Sequence, residues 1–313
     1  MTAATTPELW PGMLFLERGW LSANNVLFID PAHSCVVDTG YCAHAAQTVA
    51  LLRSALDGAP LQRIVNTHLH SDHCGGNAAL QAQWPQVQTW VAPGQIQHVH
   101  DWNPEALSHT PTGQDCPPFK ADGALQPGTE VMLGARAWQV HAAPGHDPHS
   151  IVLFEPQRRI LISADALWEN GFGVVFPEIE GEHAFEEVAA TLDVIEQLQP
   201  ALVLPGHGAM FGDTPQALAT ARRRLAGFTA DPRRHARYAA KVLIKYKLLE
   251  WQSIPLSALQ DWCTQTPYVG MLHQRYFAQQ ACTAWLEDLV AELIASGAAA
   301  LEHSDGFSVL SNR

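Results

Sequence analysis

Two apolar, β-branched runs lie within the segment 25–40 (NVLFIDPAHSCVVDTG), split by a Pro-Ala-His turn, and predict two strands. Apolar residues at helical spacing then predict a helix from Ala43 to Leu56, with Gly58 just past its end. A buried strand at Arg63–Asn66 leads into a polar, histidine-rich loop, and a further helix starts near Gly76–Asn77. Strand-like segments recur at Thr89–Ala92, Glu130–Leu133, Ala137–His141, Ser150–Glu155, Ile160–Ser163 and Ala201–Leu204. Gln157–Arg158–Arg159 reads as a hairpin turn, and a helix over His183–Leu198 precedes the last strand. Strands outnumber helices, and helices separate only some of them. That mixture fits an α/β layered sandwich better than a regular βαβ wheel.

Beyond Pro215 the pattern turns helical, over 215–229, 235–250, 256–265 and 272–296. A terminal hairpin over Ala298–Leu310 turns at Ser304–Asp305–Gly306. Helices followed by a hairpin would make a small winged-helix-like module. The chain thus reads as a first domain over 1–214 and a second over 215–313, with the boundary near 213–235.

Composition narrows the function. At 47% hydrophobic and 16% charged, the 313 residues can bury a sizeable core, which excludes a wholly disordered chain. A net charge of −13 argues against a general nucleic-acid or anionic-membrane binder. No apolar run approaches the ~18 residues that span a bilayer. The start, MTAATTPELWPGM, lacks a basic region followed by an apolar run, so it does not read as a secretory signal. Cys35, Cys42, Cys74, Cys116, Cys263 and Cys282 form no CxxC pair and suit reduced thiols. A cytoplasmic location is the resulting expectation.

Histidine is the anomaly, with 16 residues against 18 lysines and arginines. Residues 1–214 hold 13 of them with a net charge of −16, whereas 215–313 carry 3 and a net of +3. Four metal-competent side chains fall within six residues in Thr67-His68-Leu69-His70-Ser71-Asp72-His73-Cys74-Gly75-Gly76-Asn77, directly after a buried strand. If the loop curls, His68 and His70 converge on one cation while Asp72 and His73 point toward a second. Imidazole and carboxylate suit zinc, and also iron or manganese. His146 (Ala143-Pro144-Gly145-His146), Asp165 (after Ile160–Ala164) and His207 (Pro205-Gly206-His207-Gly208) each follow an apolar run, where α/β sites assemble. Singly, each also suits an ordinary turn or helix cap.

Taken together, these motifs resemble the metallo-β-lactamase superfamily over roughly residues 10–212. The resemblance implies an αββα sandwich with a binuclear metal site at its edge. By that resemblance His68, His70 and His146 would bind one metal, Asp72, His73 and His207 the other, and Asp165 would bridge both. The motifs look most similar to the glyoxalase II-like thioesterase and lactonase branches. Zinc-type β-lactamases tend to carry cysteine at the position of Asp165, which disfavours penicillin hydrolysis.

The implied chemistry is hydrolysis of an ester, thioester or lactone by a hydroxide shared between two divalent ions, zinc first and iron or manganese next. Asp72 could also relay the proton. Asp38 is a candidate partner for a ligand imidazole, and His149 a weaker one. Trp168, Phe172 and Phe176 are candidate pocket walls, and Trp102–Lys120 reads as a lid or insertion. Arg222–Arg224, Arg233, Arg234, Arg237, Lys241, Lys245 and Lys247 give the tail its basic character. The alternative reading is therefore a metal-dependent RNA nuclease whose tail, resembling that of the β-lactamase-like-protein-2 group, holds the strand. A net of only +3 favours a solvated helical face that packs on the catalytic segment or supports a homodimer. A small-molecule substrate is the expected partner, with no nucleic acid and no membrane.

Overall fold

The computed structural model describes residues 9–304 and 307–313. β1 (Met13–Leu16), β2 (Asn25–Phe28), β3 (Cys35–Val37), β4 (Arg63–Val65), β5 (Gln88–Val91) and β6 (Gly123–Ala124) form one sheet in chain order. Its pairs are antiparallel from β1 to β3 and parallel from β3 to β6. β7 (Glu130–Leu133), β8 (Arg136–Ala142), β9 (Ile151–Glu155), β10 (Ile160–Ala164) and β11 (Leu202–Pro205) form a second mixed sheet, in which only the β10–β11 pair is parallel.

Alternation along the strands explains the layers. β9 sends Ile151 and Leu153 into the core between the sheets, and Val152 and Phe154 to the outer face. Val26, Phe28, Cys35 and Val37 meet that inner core from the first sheet, while Leu27 and Val36 face outward. α1 (Ala45–Leu56) and, after the single turn α2 (Ser71–Cys74), α3 (Asn77–Gln83) cover this outer face through Leu52, Leu56 and Leu80. Two short helices follow, α4 (Ile96–His100) and α5 (His109–Thr112). On the second sheet, after α6 (Phe176–Glu180), α7 (Phe185–Leu198) and α8 (Thr214–Ala230) bury Val188, Leu192, Ile195, Ala217, Leu218 and Ala221. Strands whose two faces are both buried read as continuous apolar runs, as β9 and β10 do. The result is the α/β sandwich that the sequence pattern predicts, with two mixed sheets.

The chain continues as α9 (Pro232–Trp251), β12 (Ser253–Pro255), α10 (Leu256–Gln265), α11 (Pro267–Leu272), α12 (Cys282–Ala295), β13 (Ala299–Ser304) and β14 (Phe307–Asn312). The three strands make a small antiparallel sheet in the order β12-β14-β13. Thus the tail is helices plus a three-stranded sheet, and β12 was not foreseen. The single helix expected over 272–296 is broken: a π-helical turn at His273–Phe277 follows α11, and α12 starts afresh at Cys282. Leu272 and Phe277 are five residues apart and both buried, the spacing that a π turn brings to one face. Of the expected hairpin turn, Asp305 and Gly306 lie outside the described residues.

α9 is tied to the two-sheet sandwich by His235. Its Nε2 accepts from the Val175 amide at 3.1 Å, and its ring packs against Phe185 and Phe228. Burial, helped by the nearby Arg224 cation, lowers its pKa to about 4. Because the folded value lies below the unfolded one, the folded chain binds fewer protons in between, and stability rises with pH there. The neutral ring's contribution is complete above the ordinary histidine pKa and is lost as pH falls toward the folded value. Urea unfolding should therefore show the wild type losing about 2 kcal/mol more than His235→Gln between pH 7.5 and 5. Equal pH slopes for the two proteins would contradict this role.

Candidate metal centre

Every group at the centre leaves the end of a strand or the turn after it. Asp38 follows β3, His68 and His70 follow β4, His146 follows β8, Asp165 follows β10 and His207 follows β11. The histidine motif is not a plain loop. His70 is extended, and Ser71–Cys74 then closes one helical turn. That turn sets Asp72 beside His207 and keeps the His73 ring against His68, with ring centroids 4.0 Å apart.

Two clusters result. His68 Nε2 lies 3.1 Å from His70 Nδ1, which lies 2.8 Å from His146 Nε2. Three nitrogens aimed at one point repel unless protons or a cation sit among them. Burial, reinforced by the neighbouring imidazoles, pushes His68 and His70 well below the usual histidine range, which favours the neutral, metal-ligating form of each ring. In the second cluster His207 Nε2 stands 3.0 Å from Asp72 Oδ2, and His73 Nε2 stands 3.9 Å from the same oxygen. Asp165 lies between the two clusters. Its Oδ1 is 3.4 Å from His73 Nε2, and its Oδ2 is 3.4 Å from His146 Nε2 and 3.8 Å from His207 Nε2. His73 Nε2 is buried without a hydrogen-bond partner. Convergent neutral nitrogens, an orphaned buried nitrogen and two carboxylates form a donor set that fits a pair of divalent ions.

Supporting contacts fix the rings. His73 Nδ1 donates to Asp38 Oδ2 at 2.8 Å, and the Asp38 carboxylate also accepts from the Thr67 amide and hydroxyl at 2.9 and 2.8 Å. His146 Nδ1 donates to the Val174 carbonyl at 2.5 Å, which leaves Nε2 as the free nitrogen. Asp147, which sequence reasoning did not single out, sits with Oδ2 3.8 Å from His70 Nε2, and its place beside His146 was the available signal. Although burial opposes it, the carboxylates of Asp165, Asp38 and Asp72 hold His73 well above the ordinary range. Burial likewise works against ionising Asp165, but His207, His73 and His146 keep its carboxyl well below the usual range.

The approach is tight. A Cβ at Gly206 would run into Asp165 Oδ1, and one at Gly173 into His146 Nδ1, so both positions need glycine's missing side chain. Asp38 (φ 56°) and Ala164 (φ 47°), the residue before Asp165, adopt the left-handed backbone that non-glycine residues seldom take.

The clusters open into a cavity walled by Trp20, Trp168, Phe176, Tyr238 and Tyr246, with Thr112 and Gln114 at its rim. Trp20 stacks on the His207 ring at 5.3 Å, and Trp168 meets the same ring edge-on at 5.5 Å. Trp168 and Phe176 were expected here. Phe172 was too, but it is buried in the core beside Phe228 and plays no part in the wall. Trp20 lies far upstream with no motif around it. Tyr238, Val242 and Tyr246 form a stripe on α9 at a spacing of four, readable only once α9 is known to face the cavity. The 102–120 segment does reach the rim, through Thr112 and Gln114, and Gln114 accepts from the Ser71 hydroxyl.

With this geometry in hand, comparison with known proteins is decisive on the family. The sequence profile of the Metallo-beta-lactamase superfamily matches residues 18–207. The chain belongs to that superfamily. Among curated relatives, it is 28% identical over 144 residues to a hydroxyacylglutathione hydrolase of Synechococcus sp. (strain JA-3-3Ab), covering 46% of this chain and 48% of that one. It is 34% identical over 125 residues to a hydroxyacylglutathione hydrolase of Anaeromyxobacter dehalogenans (strain 2CP-C), 40% of each chain. It is 25% identical over 164 residues to the acyl-coenzyme A thioesterase MBLAC2 of Gallus gallus, 47% of this chain and 57% of that one. The chain therefore spans about half the length of these relatives. A metallo-beta-lactamase family protein of Thermus thermophilus shares the fold at a TM-score of 0.57 and 19% identity, over 98% of this chain and 100% of its own. A beta-lactamase domain protein of Burkholderia ambifaria does so at 0.57 and 24%, over 98% and 94%.

The Asp38–His73 contact generates a direct test. Asp38→Asn keeps the shape but removes the charge that orients His73. Chelator competition should show metal affinity falling about 10–100-fold with folding retained. Unchanged affinity in a folded variant would show that Asp38 supports the backbone alone.

Proposed function

We propose that this superfamily member is a binuclear metal-dependent hydrolase of small thioesters, with esters and lactones as further substrates. His68, His70 and His146 would hold one ion, Asp72, His73 and His207 the other, and Asp165 both. When bound, such ions lower the pKa of a water and polarise a carbonyl oxygen. The protein's own share is placement. The tautomers of His146 and His73 are set by Val174 and Asp38. The Asp72 carboxylate, partly exposed to the cavity, is placed to orient a water and accept its proton. The aromatic walls exclude bulk solvent from an acyl group.

The observation that carries this reading is the seven-residue donor set opening into an aromatic cavity. None of the described residues lining that cavity is lysine or arginine. The hydroxyacylglutathione hydrolase and acyl-coenzyme A thioesterase relatives support thioester chemistry. The aromatic side chains of Trp20, Trp168, Phe176, Tyr238 and Tyr246 suit an apolar acyl group. The RNA nuclease alternative is weakened by what the tail's cations already touch. Arg222 pairs with Asp193 and Glu196, Arg237 and Lys241 share Glu292, and Lys247 pairs with Glu250. Arg224 lies 4.2 Å over the Tyr238 ring. The helices and small sheet of the tail, read from sequence as winged-helix-like, act here as a support for α9, which closes one side of the cavity.

Steady-state assays on the metal-loaded protein test the reading. Uncharged short-chain and aryl thioesters should be hydrolysed with higher kcat/KM than glutathione or coenzyme A thioesters. Asp165→Asn should lower that rate at least about 100-fold. Inertness toward the whole ester, thioester and lactone panel, or salt-sensitive RNA cleavage that Asp165→Asn abolishes, would overturn it.

A further inference from the structure

A second group of metal-competent side chains lies outside the centre described above. Cys74, the last residue of α2, Cys116, and His109 at the start of α5 each bring a donor atom within 4.8 Å of the others. None of the three lines the cavity. The two sulfurs are 3.7 Å apart. Two thiolates on a tetrahedral ion with metal–sulfur bonds of about 2.3 Å stand about 3.8 Å apart, so they need hardly move.

A thiol–thiol hydrogen bond would fit the same distance, and the deciding feature is His109. It is 2% exposed. Its Nε2 lies 2.9 Å from the Leu69 carbonyl and donates to it, which fixes the neutral tautomer. Its Nδ1 then carries a lone pair, buried and without a hydrogen-bond partner. A ring oriented by a backbone carbonyl, with its other nitrogen free, is how proteins present histidine to a metal. Burial also favours the neutral ring, lowering its pKa from the ordinary value. Cys116, only half-buried, supplies a path from solvent.

We propose that Cys74, Cys116 and His109 form a third metal site, distinct from the candidate binuclear centre, for a borderline or soft divalent cation such as zinc. Binding forms two metal–sulfur bonds and one metal–nitrogen bond and releases the two thiol protons to solvent. Two thiolates with an imidazole select against the hard cations that oxygen donors prefer. Its consequence is mechanical. Cys74 belongs to the histidine loop, while His109 and Cys116 flank Thr112 and Gln114 at the cavity rim. An ion there pins the rim segment to the loop that carries the candidate ligands.

Cobalt(II) titration of the full-length protein, reduced and stripped of metal, tests this site. Thiolate-to-cobalt charge-transfer absorption reports sulfur ligation, which the nitrogen and oxygen donors of the neighbouring centre cannot produce. The final band intensity should correspond to one thiolate-ligated ion per chain, reached by the third equivalent once the His/Asp centre is also filled. It should disappear in Cys74→Ser and in Cys116→Ser, and persist in Cys42→Ser. Cys116 is half-buried, so its variant carries the test if Cys74→Ser does not fold. Absence of the band from the wild type, or its survival in Cys116→Ser, would overturn the proposal.

Discussion

Two carboxylates and an imidazole taken out of water at the ends of neighbouring strands set the terms for everything around them. Asp38, His73 and Asp165 are each at most 4% exposed. Burying an ionised carboxylate costs several kcal/mol unless partners replace the lost water. His73 Nδ1 replaces it for Asp38 at 2.8 Å, while its Nε2 faces Asp165 Oδ1 at 3.4 Å without a hydrogen bond. Thr67 completes Asp38, and the Trp168 indole donates to Asp165 at 3.2 Å. The left-handed backbone at Asp38 and Ala164, and the bare Gly206, are local costs of that close approach. The two sheets offset them by burying continuous apolar strands such as β9 and β10 immediately behind the site.

This arrangement explains why the sequence was most legible at its centre. The H-x-H-x-D-H run, and His146, Asp165 and His207 after apolar stretches, follow from one physical rule: strand ends hold side chains in place. The layers were legible for a related reason, since strands buried on both faces leave apolar runs between turn residues. Some short elements were not: β1, β6, β12 and α4 to α6 run for two to five residues without the β-branched runs that made the equally short β3 and β4 legible. The π turn after α11 escaped because apolar residues on both sides of it, in α11 and α12, read together as one helix.

The cavity was the least legible part, because its walls come from places that share no motif. Trp20 stands in the β1–β2 connection, Tyr238 and Tyr246 on α9, Thr112 and Gln114 on the rim segment. Only the fold brings these side chains to the metal-competent cluster. They are also what separates one member of a hydrolase superfamily from another, since the donor set is common to many activities.

The central claim is that the histidines and aspartates converge in order to hold two ions. Anomalous X-ray scattering on crystals of the purified protein, at the zinc, iron and manganese edges, tests it most directly. The account predicts two peaks, one among His68, His70 and His146 and one among Asp72, His73 and His207, with Asp165 between them. A map from metal-supplemented crystals with no peak near either cluster would contradict it.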